Sequence, residues 1–235
     1  MGETHDVIVV GGGHNGLVAA AYLAAGGLKT LVLERRPMVG GACVTEEIFP
    51  GYRFSTTSYV LSLLRPEIIR DLRLKEHGLE VFPCRTSFTP FPDGRSLLMG
   101  LGRKEDAEQI SRFSKKDAAA YPEFDAAIAR MADFIRPTLA APPPDPSAPG
   151  IHDLLSLLKL GNGFRKLPRA SQALLIKTMT MSCAAFLDEW FESDELKASM
   201  AATGTIGTYG SPRTPGTAFV FLHYYLGEAN GAPGA

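Results

Sequence analysis

Residues 5–34 read HDVIVVGGGHNGLVAAAYLAAGGLKTLVLE, and the fold class follows from them. An apolar run, Val7 to Val10, enters a G-x-G-x-x-G turn built on Gly11, Gly13 and Gly16, and an Ala-rich run from Leu17 to Ala25 follows. A second apolar run, Thr30 to Leu33, ends at Glu34, eighteen residues after Gly16. Strand, glycine turn, helix, strand and acidic residue in this order are the βαβ opening of a dinucleotide-binding α/β fold. Gly11 permits the tight turn, Gly13 lets the backbone approach a pyrophosphate, and Gly16 lets the helix pack closely on the strand. The first amides of the helix lack intrahelical partners and favour an anion. Gly26 and Gly27 end the helix. The Glu34 carboxylate is placed to accept hydrogen bonds from adenosine ribose hydroxyls, and its charge disfavours a 2′-phosphate.

Val7 to Leu28 contains no Lys, Arg, Asp or Glu, a length compatible with a membrane span or signal sequence. Three adjacent glycines argue against both, because each costs roughly 1 kcal/mol within a helix relative to alanine. The basic segment that precedes a signal core is absent, and the few residues before the first strand leave no room for a cleavable leader, so a cytoplasmic location is expected, with peripheral membrane association as the alternative.

A hydrophobic content of 45% over 235 residues supports one large or two small cores. The 24 basic and 25 acidic residues are interspersed and sum to a charge of −1, which argues against nucleic-acid binding. Cys43, Cys84 and Cys183 form no C-x-x-C pair and read as buried free thiols, and the five histidines lack metal-ligand spacing. No metal site is expected.

Farther along, Gly40-Gly41-Ala42 offers a second close backbone approach, to a ligand or to the first turn. Thr86–Phe91 and Arg95–Met99, separated by Pro92-Asp93-Gly94, predict a β-hairpin. Apolar residues between Lys104 and Leu139 recur at helical spacing, with Ser114 and Asp117 placed as an N-cap and its N3 partner. The five prolines between Ala140 and Gly150 predict a stiff exposed loop, and the segments Ile151–Leu160 and Ser171–Leu187 read as further helices. Ile151 to Arg169 has two readings: a membrane-surface helix with a basic end, or a core-facing helix, which is preferred. A helix capped by Ser193, a Gly204–Gly216 loop and an apolar, aromatic segment from Thr217 to Leu226 complete the pattern. The expected division is a first domain over residues 1–78 and a second over 79–235.

The N-terminal motif, Glu-Arg-Arg-x-x-x-Gly-Gly at 34–41, Thr-Glu-Glu at 45–47 and Ser-Tyr-x-Leu-Ser-Leu-Leu-Arg-Pro at 58–66 resemble the phytoene-desaturase-related, FAD-dependent oxidoreductases of the flavin amine oxidase superfamily. Phe113 to Ala118, Trp190 to Ser193 with Leu196 to Ala198, and Ser211 to Gly216 are similar to one branch of that family. The resemblance implies an FAD/NAD(P)-binding Rossmann-like βαβ domain with an inserted, largely helical α+β substrate domain. It further implies that Gly11, Gly13 and Gly16 hold the FAD pyrophosphate and Glu34 the adenosine ribose, with Gly12, Asn15 and Arg35 also among the cofactor-binding residues. Gly40, Gly41 and Ala42 would lie beside the dinucleotide, with Ser55 to Tyr59 near the flavin. Many family members carry Arg where this chain has Ala42. Family members are also longer, so the fold is expected to be incomplete here, without the half that supplies returning strands and much of the substrate cavity.

The resemblance thus implies an enzyme that dehydrogenates, desaturates or isomerises an apolar small molecule with FAD, with a quinone or dioxygen as the expected electron acceptor. The cofactor carries the chemistry, so no conspicuous acid/base pair is required. Tyr59 and His223 are the candidate catalytic residues. The alternatives are an NAD-dependent dehydrogenase and a truncated, non-catalytic dinucleotide-binding module.

Overall fold

The computed structural model describes residues 3–84, 86–229 and 232–233, so most of the Gly231–Ala235 end and the first two residues lie outside the described residues. The chain divides into two compact units, Met1–Phe82 and Pro83–Ala235.

In the first unit, β1 (Val7–Val10) and β2 (Thr30–Leu33) pair in parallel, with Val7 opposite Thr30 and Val10 opposite Leu33. They are joined by α1 (His14–Ala25), whose end is turned by Gly27 at φ 90°. A short 3₁₀ turn, Gly41–Cys43, leads into an antiparallel hairpin of β3 (Thr45–Phe49) and β4 (Tyr52–Ser55). The hairpin bulges between Glu47 and Phe49. Helix α2 (Pro66–Asp71) follows, with proline in its first turn, where a missing N–H costs no intrahelical bond. The Tyr22 hydroxyl of α1 donates to Asp71 at 2.9 Å.

The second unit begins with an antiparallel hairpin, β5 (Ser87–Pro90) and β6 (Ser96–Met99), pairing Ser87 with Met99 and Pro90 with Ser96. Helices α3 (Arg103–Ser111) and α4 (Lys115–Ile135) follow. After the exposed proline-rich segment come α5 (Ile151–Lys166), α6 (Arg169–Thr180), α7 (Cys183–Asp188) and α8 (Asp194–Ala201), then two short helices, α9 (Thr217–Phe221) and α10 (His223–Leu226). Phe124 of α4 is fully buried at the centre of the core, its ring 4.9 Å from Phe191, 5.4 Å from Trp190, 5.8 Å from Phe221 and 6.1 Å from Phe186. Edge-to-face pairs at such separations add about 0.5–1.5 kcal/mol each beyond apolar burial. Ala218, Phe221 and Leu222 are buried in the same core, so the aromatic C-terminal segment is a wall of it.

Several local expectations are corrected by tertiary partners. Ser114 caps α4 as predicted, accepting the Asp117 N–H at 3.0 Å. The Asp117 carboxylate also reaches a distant segment. It accepts from the N–H groups of Glu192 and Ser193, each at 2.9 Å, and from the Ser193 hydroxyl. Ser193 consequently stands at the N-cap of α8 without capping it through its side chain.

The helix expected over Ser171–Leu187 breaks at Met181-Ser182. There the Thr180 and Met181 carbonyls accept from Gly216 N–H at 3.3 and 2.9 Å, and Ser182 caps a new helix by accepting the Ala185 N–H. Only Cys183 of the three free cysteines is buried, because Cys43 and Cys84 lie in exposed connections. Helix α5 has no buried residue. It is attached near its end, where Phe164 packs on Phe134 with ring centroids 6.3 Å apart, so the preferred core-facing reading fails. No helix of the described residues is long and apolar enough to cross a membrane.

Candidate dinucleotide site

The site is a set of close backbone approaches around the turn between β1 and α1. The Gly11 N–H donates to the Leu33 carbonyl at 2.7 Å, which holds the turn to the end of β2, and Gly11 has φ 103°. A Cβ on Gly16 would sit 2.2 Å from the Gly11 carbonyl oxygen, a contact no side chain survives without moving backbone. That is the close helix–strand packing read from the glycine spacing.

Glu34, half-buried at the end of β2, reaches back to the same turn. One carboxylate oxygen accepts the Gly12 N–H at 2.7 Å and the other the Arg36 N–H at 2.9 Å. The Arg36 and Gly12 amides hold its carboxyl below the usual carboxylate range, against a smaller opposing effect of desolvation. It stays ionised at neutral pH. A carboxylate has about four lone-pair sites, so two accepted bonds leave capacity for ribose hydroxyls.

The second glycine pair packs on the first turn. Gly40 N–H donates to the Gly12 carbonyl at 2.7 Å, and a Cβ on Gly41 would lie 2.9 Å from the Gly13 Cα. Of the two partners left open by the sequence, ligand or first turn, the structure shows the first turn. Gly13 is the N-cap of α1 and contributes no side chain, and no acidic residue stands in the first turn to oppose an anion. The Ser55–Tyr59 segment is tied to the same 3₁₀ turn by Ser58 N–H to the Ala42 carbonyl at 3.2 Å and Thr56 N–H to the Val44 carbonyl at 3.3 Å.

Gly11, Gly12, Gly13, Gly16, Glu34, Gly40 and Gly41 are thus brought together. Asn15, Arg35 and Ala42 are exposed around them. Two contributors were not named from the sequence. The Val39 side chain lies 3.1 Å from where a Gly12 Cβ would be, and Arg36 pairs with Glu46 while donating its backbone N–H to Glu34. The apolar Val39 between Glu34 and Gly40 was the one available signal. Tyr59 is exposed in the first unit. His223 belongs to the second, half-buried with its Nδ1 unpaired and its ring edge-on to Tyr224; burial lowers its pKa.

This geometry defines a dinucleotide-binding Rossmann-like domain, and residues 9–72 match the family model described as an NAD(P)-binding Rossmann-like domain. Over 98% of its length the chain is 44% identical to pyridine nucleotide-disulfide oxidoreductase domain-containing protein 2 of Rattus norvegicus, the branch to which the later motifs are similar. The chain spans about 42% of that relative's length. A limonene dehydrogenase polypeptide of Castellaniella defragrans is 38% identical over 54% of this chain and 24% of its own length. Hydroxyneurosporene desaturase of Rhodobacter capsulatus is 34% identical over 62% of this chain and 30% of its own. Among solved structures, a triple mutant from a redesign of cofactor binding in putrescine oxidase shares the fold, with TM-score 0.57 and 18% identity over 94% of this chain and 41% of that one.

Proposed function

We propose that the chain carries the adenosine-diphosphate end of the cofactor site of an FAD-dependent oxidoreductase acting on an apolar small molecule. The carrying observation is the Glu34 carboxylate, ionised and held by the Gly12 and Arg36 amides beside a side-chain-free helix N-terminus. FAD, when bound, would take the hydride from the substrate and pass the electrons to an acceptor such as a quinone or dioxygen. The residues of this chain bind and orient. Gly12 and Gly13 leave room for the pyrophosphate at the start of α1, Glu34 accepts from the ribose hydroxyls, and its charge rejects a 2′-phosphate.

The family resemblance of the 34–41 and 58–66 segments supports FAD over NAD. Relatives named for limonene and hydroxyneurosporene, both isoprenoids rich in hydrocarbon, support an apolar substrate. Titration of the chain with FAD, NADH and NADPH tests the reading. FAD should bind in preference, and Glu34→Gln should weaken it about tenfold, the loss of one charge-assisted pair of hydrogen bonds. Preference for NADH would favour the NAD-dependent dehydrogenase, and binding of none of the three would overturn the reading. Tyr59→Phe and His223→Ala should lower turnover with FAD affinity unchanged if these residues meet substrate.

A further inference from the structure

Helix α5 displays an apolar stripe that the rest of its unit does not cover. Ile151, Leu154, Leu155 and Leu158 recur at i, i+3, i+4 and i+7, which places them on one face, and Ile151, Leu155 and Leu158 are 78%, 59% and 69% exposed. The attachment is elsewhere on the helix: Phe164 stacks near Phe134, and Gly163 packs against the same ring. Continuing the stripe toward the C-terminus by helical spacing leads to cations. Lys159 and Lys166 stand four and eleven residues after Leu155, and Arg165 stands seven after Leu158. The sole acid of α5, Asp153, is engaged at the helix start by the Gly150 N–H at 2.9 Å. The helix is about 24 Å long; most of its exposed leucines precede Lys159, and Lys159, Arg165 and Lys166 bring its positive charge to the second half, beside Leu160.

We infer that α5 docks on the surface of an anionic phospholipid bilayer, with the leucines in the acyl boundary and Lys159, Arg165 and Lys166 among the headgroups. Charge decides between occupants. A second copy of the same face would offer these cations no carboxylate, whereas an anionic leaflet satisfies the apolar and the basic halves together. Exposed large apolar side chains on a helix with a one-signed polar rim are the pattern such interfacial helices share. This inference does not depend on the cofactor reading. It would, however, hold the protein where apolar molecules dissolve.

Flotation of the chain with vesicles of phosphatidylcholine containing phosphatidylglycerol, and with pure phosphatidylcholine vesicles, tests it. Binding is expected on the anionic vesicles and should weaken as salt rises. Leu155→Ser with Leu158→Ser should reduce partition at least about tenfold. Lys159→Gln with Lys166→Gln should reduce it about tenfold on anionic vesicles and little on neutral ones. All four side chains lack partners within the core, so the thermal transition should not move. Phe49→Ser, at an exposed site of the other unit, should leave partition unchanged. Absence of binding to anionic vesicles, indifference to the leucine pair, or an equal loss with Phe49→Ser would overturn the inference. Conversion of a dimer to a monomer by the leucine pair, without vesicle binding, would overturn it in favour of a second copy.

Discussion

The two units of this protein are held together by different physics. In the first, Ala20 and Val44 are the only hydrophobic side chains buried among the described residues, and Val10 of β1 is 84% exposed. Its order resides in backbone: the Gly11 to Leu33 bond, the Gly40 to Gly12 bond, and glycines that let Gly16 meet Gly11 and Gly41 meet Gly13. The second unit is organised by Phe124 and its ring neighbours, with a buried carboxylate, Asp117, fastening α4 to the segment before α8. Parallel strands are ordinarily covered on both faces, whereas Ile8 and Val10 of β1 are exposed here and the contacts that shape the turn are backbone ones. A site can be local; a core cannot.

Substitutions separate the two modes. Phe124→Ala should destabilise the second unit by about 3–5 kcal/mol, the range for emptying a buried aromatic site. Urea unfolding followed by the fluorescence of Trp190, the single tryptophan, reads it directly, and a loss below about 1 kcal/mol would break the contrast between units.

Asp117→Asn should cost about 2–3 kcal/mol, because an amide cannot accept at both positions where the carboxylate meets three donors. Burial pushes the Asp117 carboxyl upward, but the Ser193 hydroxyl and the Glu192 and Ser193 amides outweigh it and leave the folded-state value below the ordinary one. Its contribution is therefore present above the unfolded value of about 4 and lost as the pH falls through the lower folded value. The wild-type chain should lose stability on acidification in that window, and Asp117→Asn should show a shallower dependence there. Equal slopes would remove the carboxylate from the account.

Gly16→Ala should leave the Trp190 transition in place and weaken dinucleotide binding at least about tenfold, since the added methyl displaces the Gly11 carbonyl from the cradle. Unchanged affinity in calorimetric titration would mean that the close approach of helix and strand does not shape the site. Val10→Ala should fall within about 0.5 kcal/mol of wild type, as exposed positions do, and a larger loss would show that β1 is covered in solution.

The division between units also governs what could be read in advance. The βαβ boundaries, the Ser114 cap, the hairpin around Pro92-Asp93-Gly94 and the exposed proline-rich segment follow from short-range rules, and the structure places them as read. The misread features all depend on distant partners. Nothing near Met181 announces a helix break, because the segment that takes its carbonyl, Gly216–Ala218, lies 35 residues on. The cap was read correctly, but the partners of the Asp117 carboxylate were not legible, because Glu192 and Ser193 arrive from 75 and 76 residues away. Leucines at helical spacing in α5 look the same whether a core or another surface covers them.

At the site, Gly11, Gly13, Gly16 and Glu34 were legible because turn geometry and anion binding restrict residue type at fixed spacing. Glu34 holding the Gly12 amide, and Gly41 resting on Gly13, were not, since spacing along the chain does not say which of two allowed partners a group meets. The order of residues was enough to specify the dinucleotide-binding opening, because a backbone that must turn tightly and approach an anion tolerates few residue types. Where α6 ends, what Asp117 binds and which face of α5 stays open were settled only in the folded chain, because each depends on which distant donors and apolar surfaces come within a few ångströms.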